Sequence, residues 1–231
     1  MIESLVGIER EAFLALNSPH SYYLDSVMFL ISDRWPWIIF TILFLLLMSY
    51  KQRWREVVLL ILAIVFLVIV ADGVSSGIIK PIFQRYRPTH HPLTADVVKT
   101  VLGHRGGGYG FVSGHATNFF AFALFSTLVV RHLWYGIASH LVALNVAYSR
   151  IYLGMHFISD VIPGILLGLV CGWLVYLLYR ESRIAFLNVE RRRANRSYLS
   201  TPCHKHTVAG LMALFIIVIW TAGPYFFRFY E

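Results

Sequence analysis

The chain has 231 residues, 58% of them hydrophobic and 14% charged, against roughly 25% charged in an ordinary soluble domain. That balance excludes a soluble globular domain and describes a polytopic membrane protein. We expect one all-α, membrane-embedded domain over residues 1–231. The net charge of +8 does not imply nucleic acid as a partner, because the basic residues sort by loop.

In chain order, residues 2–17 come first. Ile2, Leu5, Val6, Phe13 and Leu14 share one helix face, and Glu3, Glu9, Arg10 and Glu11 interrupt the stretch. We expect an amphipathic helix lying on the membrane, not a cleaved signal, which would open on basic residues before an apolar core. Six membrane spans are then expected as one bundle, over residues 35–50, 57–80, 114–131, 133–150, 156–179 and 207–226. Asp33 and Arg34 crowd the start of the first. Pro163 falls early in the fifth, where a missing N–H is tolerated. Thr207 to Phe227 and Val161 to Tyr179 carry no charge at all. Cys171 lies in an apolar run and Cys203 in a basic loop, so neither a disulfide nor a cysteine metal site is expected.

The loops alternate in charge. Lys51, Arg53, Arg55, Arg131, Arg180, Arg183, Lys205 and the cluster VERRRANR fall on one side, which the positive-inside rule makes cytoplasmic. VERRRANR reads as a topology determinant. The margin holds once Lys80, Arg87 and Arg150 on the other side are set apart as functional.

Three polar islands occupy that other side: KPIFQRYRP (80–88), GFVSGH (110–115) and SRIYLGMHFISD (149–160). Lys80, Arg87 and Arg150 supply three cations that repel one another unless an anion joins them. Phosphate suits a planar guanidinium fork and an ammonium point charge. Ser113, Gly114 and His115 open a helix whose N-terminus favours the same guest. His156 and Asp160 are four apart and share a helix face. A carboxylate bound to one ring nitrogen leaves the other as a nucleophile, and His115 is placed to protonate a leaving oxygen. Together these form a phosphoryl-transfer site. A metal on His156 and Asp160 is disfavoured by the cations and by the short ligand set. Asp72 receives no role, and His90, His91 and His104 are expected to be solvated.

With these residues in place, the sequence resembles the type 2 phosphatidic acid phosphatase superfamily. Its signatures, Lys-x6-Arg-Pro, Pro-Ser-Gly-His and Ser-Arg-x5-His-x3-Asp, match the three islands in spacing and order. The resemblance covers about residues 35–180. It implies that Lys80, Arg87 and Arg150 hold the phosphate with Ser113 and Gly114, that His156 forms a phosphohistidine, that Asp160 orients it, and that His115 protonates the leaving group. It implies no metal or other cofactor. Val112 stands where the family has proline, so changed loop geometry without lost activity is expected. For the loop from Thr89 to Val112, with its RGGGYG run, a lid, a headgroup contact and a flexible spacer all remain open.

An outer-face site suits an amphiphile whose tail stays in the bilayer. The expected protein is a bacterial inner-membrane lipid phosphatase acting on the periplasmic face. Undecaprenyl diphosphate ranks first and lipid A close behind, with phosphatidylglycerol phosphate and phosphatidic acid further options. A lipid phosphotransferase and a non-catalytic membrane protein are the remaining alternatives.

Overall fold

The computed structural model describes residues 4–230; Ile2 and Glu3 of the expected amphipathic segment lie outside them. The fold is helical: α1 (Ser4–Asn17), α2 (Tyr22–Ser32), α3 (Arg34–Ser49), α4 (Trp54–Asp72), a π-helical stretch (Gly73–Ile79), α5 (Lys80–Phe83), α6 (Gly114–Val130), α7 (Leu133–Tyr152), α8 (Ile158–Leu187), α9 (Arg191–Ala194) and α10 (Pro202–Phe227). Among the described residues the only β pairing is an isolated bridge between Tyr86 and Tyr109. A helix coincides with each expected span. Three are long and apolar enough to cross a membrane: Trp54–Phe83, Ile158–Leu187 and Pro202–Phe227.

α2 was not anticipated, and it explains the charges before the first expected span. Asp33 ends α2 in extended backbone, and its carboxylate caps α3 by accepting from Trp35 N. The chain bends by 55° there, and the bent pair α2–α3 adds a fourth candidate span. α2 packs on α7 and α10, and its Ser32 ends up beside the site.

The tightest packing joins α6 to α8. Three glycines at four-residue spacing, Gly164, Gly168 and Gly172, lie against Ser113, Thr117 and Ala121. A Cβ on Gly164 would sit 2.8 Å from the Ser113 carbonyl oxygen, and one on Gly172 would sit 2.5 Å from that of Ala121. A Cβ on Gly168 would collide with the Thr117 carbonyl oxygen. Lipid is as apolar as leucine, so helices in a bilayer associate through close contact, and small residues permit it. The matched order 164–168–172 against 113–117–121 makes the two helices parallel. Both N-termini therefore sit at the same end, with the positive ends of both dipoles together.

α1 packs on α7 and α8. Val6 and Phe13 are fully buried while Ile8 is 82% exposed, and Phe13 meets Phe157 edge-on at 5.1 Å. The Asn17 amide donates to Tyr152 O at 2.7 Å and to Lys99 O at 3.0 Å. Part of the expected membrane-facing stripe thus covers the protein itself.

Candidate active site

The segments carrying the three motifs meet at one end of the bundle. Ser113 N-caps α6, accepting from Ala116 N, and its own backbone N–H donates to Asp160 O at 3.0 Å. Asp160, in the first turn of α8, accepts from Phe157 N at 3.0 Å. The same carboxylate that faces His156 therefore caps its helix. His156 Nδ1 lies 3.6 Å from Asp160 Oδ2, outside ordinary hydrogen-bond range. Such pairs are often long without substrate and tighten with it. The His156 imidazole is held neutral, well below its usual range, first by burial and then by the charges of Arg87, Arg150 and Lys80.

The cations reach this imidazole from separate elements. Lys80 follows the π-helical stretch, a local widening frequent at functional sites. Its Nζ donates to Ser76 Oγ at 3.0 Å, and Ser76 Oγ donates to Asp72 Oδ1 at 3.1 Å. Arg87 donates to the carbonyl oxygens of Tyr109 and Met155 at 3.1 and 3.3 Å. Arg150 donates to Ser32 Oγ at 2.6 Å, and its Nε is buried without a partner. Among the described residues, the ion pairs of the site are Arg85–Asp160, Arg85–Glu9 and His156–Asp160, with none to Lys80, Arg87 or Arg150. Three cations without carboxylates make a cup for an anion. A Cβ on Gly114 would lie 3.6 Å from Lys80 Nζ, so glycine keeps this corner open. His115 contacts Ser32 O through Nε2 at 3.3 Å. It also lines a groove of about 400 Å³ between the α2–α3 bend and α6, with Trp37, Ile38, Ile42 and Phe119 on its walls.

The glycine loop is part of this site. Arg87 N donates to Gly108 O at 3.0 Å, and Gly110 N donates to Arg85 O at 2.8 Å. A Cβ on Gly110 would stand 3.0 Å from Asp160 Oδ2 and 3.5 Å from His156 Nδ1. Val112 follows a cis peptide bond and is buried. His91, expected in solvent, is buried, with its ring edge-on to Phe157 at 5.8 Å; His90 and His104 are exposed.

All eight predicted residues, Lys80, Arg87, Ser113, Gly114, His115, Arg150, His156 and Asp160, come to this end of the bundle. Sequence reasoning missed Arg85, Glu9, Ser159, Ser32 and the Asp72–Ser76–Lys80 chain. Spacing of four offered a signal for the last. For Arg85 the signal was weaker: one residue separates it from Arg87, so in extended backbone the two point to opposite faces. Glu9 and Ser32, far from the motifs in sequence, gave none. Among the described residues no group of three or more His, Cys, Asp or Glu is placed to hold a metal ion.

Apolar helices with imidazoles, a carboxylate and three cations gathered at one end define a membrane phosphatase. A family model described as the PAP2 superfamily matches residues 58–184. The chain is 44% identical over 186 residues to a lipid A 4′-phosphatase of Porphyromonas gingivalis, covering 80% of this chain and 79% of that one. It is 34% identical over 182 residues to a lipid A 4′-phosphatase of Bacteroides thetaiotaomicron, covering 77% and 80%. With an undecaprenyl-diphosphatase of Sulfolobus acidocaldarius it shares 27% over 180 residues, covering 76% and 79%. No solved structure matches. The chain belongs to the PAP2 superfamily.

Proposed function

We propose that this lipid phosphatase removes a phosphate from a lipid A-type glycolipid through a phosphohistidine. The observation that carries the chemistry is His156, neutral and buried, within the field of three cations that have no carboxylate partner. A phosphate held by Lys80, Arg87 and Arg150, with Ser113 and Gly114 at the α6 N-terminus, presents phosphorus to His156. With Nδ1 turned toward Asp160, the lone pair on Nε2 forms the N–P bond as the P–O bond to the lipid breaks. His115 gives its proton to the departing oxygen. Water then attacks phosphorus, the N–P bond breaks, and phosphate leaves. The cations neutralise charge that grows on the phosphoryl oxygens, which is the main catalytic term in such sites.

The substrate reading rests on relatives. The ranking that put undecaprenyl diphosphate first gives way, because two lipid A 4′-phosphatases match more strongly than the undecaprenyl-diphosphatase. The groove beside His115 supports a lipid whose chain runs outward past Ile38 and Ile42, which are 43% and 54% exposed. The reading includes six spans in a bacterial inner membrane, with the site on the periplasmic face.

Purified enzyme should be offered lipid A, undecaprenyl diphosphate and phosphatidylglycerol phosphate in matched detergent, with phosphate release followed. Fastest removal of the lipid A 4′-phosphate is expected, and His156→Ala should abolish release while still folding. Faster release from undecaprenyl diphosphate would overturn the substrate. Near-normal release by His156→Ala would overturn the mechanism.

A further inference from the structure

A buried ionic chain runs from the first helix to the carboxylate beside His156. The Arg85 side chain is 0% exposed and lies between Glu9 on α1 and Asp160 on α8, whose side chains are 12% and 0% exposed. One arm of its fork, Nη1, donates to Asp160 Oδ1 at 2.6 Å and to Ser159 Oγ at 2.7 Å. The other, Nη2, donates to Glu9 Oε1 at 2.7 Å. Its guanidinium carbon sits 4.9 Å over the Phe157 ring. Glu9 also grips the first turn of α8 directly, accepting from Ser159 N at 2.9 Å through Oε2 and from Ser159 Oγ through Oε1.

We propose that Glu9 and Arg85 are positioning residues that fix Asp160, and through it His156, for the phosphatase reaction. The proposal rests on the reading of His156 and Asp160 given above. Two features carry it. First, Arg85 occupies Oδ1 of Asp160, so it is Oδ2 that faces His156 Nδ1. Second, one cation stands between two carboxylates, so the trio keeps one net negative charge. With Glu9 present, Arg85 divides its charge, and Asp160 retains enough to hold the imidazole N–H. Without Glu9, the whole guanidinium charge falls on Asp160, and that hold weakens. A buried ion pair is weak evidence for stability, since apolar packing often replaces it at no loss. Its place directly behind the candidate nucleophile gives it a different use.

The chain makes no printed contact with Lys80, Arg87 or Arg150, the groups assigned to phosphate. Its loss should therefore lower kcat and spare KM. The test uses full-length enzyme with lipid A as substrate, measuring kcat, KM and thermal midpoint. Glu9→Gln removes one charge at constant size and should reduce kcat roughly tenfold, since sub-ångström misplacement costs on that order. KM should stay within about twofold, and the midpoint within a few degrees. Arg85→Lys keeps the charge but loses the fork, and should behave alike. The double variant should be no worse than Arg85→Lys alone, because both act through one carboxylate. Wild-type kcat in Glu9→Gln overturns the proposal, as does a fall in kcat matched by a collapse of the midpoint with additive losses in the double variant. Should Glu9→Gln fail to fold, Ser159→Ala removes the hydroxyl shared by Glu9 and Arg85 while leaving both charges, and an unchanged kcat there is equally fatal. An inactive His156→Ala beside a normal Glu9→Gln sinks this inference alone, whereas an active His156→Ala sinks the reading beneath it.

Discussion

Gly168→Ala adds one methyl group where α8 crosses the backbone of α6. Its Cβ would collide with Thr117 O and lie 3.1 Å from both Ala121 N and Phe120 Cβ. Two of these three atoms are backbone, which no rotamer change can move, so the helices must separate. Overpacking of this kind costs about 1–3 kcal/mol. Alanine regains up to about 1 kcal/mol of helix propensity over glycine. The clash wins, leaving a net loss of roughly 1–2 kcal/mol, or about 2–8 °C in thermal midpoint for a chain of this size. Activity should suffer more than stability. The same contact sets Ser113 against α8, where its N–H donates to Asp160 O at 3.0 Å. A shift on the order of 1 Å can cost about a hundredfold in rate, so phosphate release should fall at least about tenfold. Gly210→Ala is the control, because a Cβ there meets nothing within 4 Å; it should be neutral or slightly stabilising. Midpoints in detergent and phosphate release would be measured for both variants. If Gly168→Ala matched Gly210→Ala in both, the idea that a glycine stripe sets the spacing of the site would be wrong.

Gly110→Ala should lower kcat roughly tenfold or more, because its methyl group enters the space 3.0 Å from Asp160 Oδ2; Gly107→Ala, with nothing within 4 Å, should stay near wild type, and equal rates would refute the contact. Phosphate release should continue in excess EDTA, since Lys80, Arg87 and Arg150 already supply the positive charge; loss restored by a divalent ion would count against this. His156 stays neutral in the fold but titrates near 6.5 in the unfolded chain. Below that pH the unfolded state binds a proton that the folded state refuses, so stability should fall as pH drops from about 6.5. His156→Asn should lose less midpoint than wild type between pH 7.5 and 5, and parallel curves would refute the argument.

The motifs were legible because their chemistry is local: Lys80 and Arg87, Ser113 to His115, and Arg150 to Asp160 each stand within one short stretch. The helices over the expected spans were legible because the bilayer demands long apolar runs. The break at Asp33 was visible only as a nuisance to a span boundary, although an aspartate that ends one helix and caps the next is a recognisable signal. Gly164, Gly168 and Gly172 also stood in plain view at four-residue spacing. Their meaning required a partner, because a small-residue stripe does not name the helix it meets.

By itself the sequence determined the membrane class, the helices over those spans and the reactive groups, since composition and spacing act along the chain. The tertiary structure alone decided that α6 and α8 run parallel with their N-termini together. It alone brought Ser32 beside Arg150 and His115, buried His91, and carried Glu9 from the first helix to Arg85 and Asp160. These are contacts between segments up to 150 residues apart, and such contacts depend on which helix faces fit one another, a property of packed surfaces that no single stretch contains.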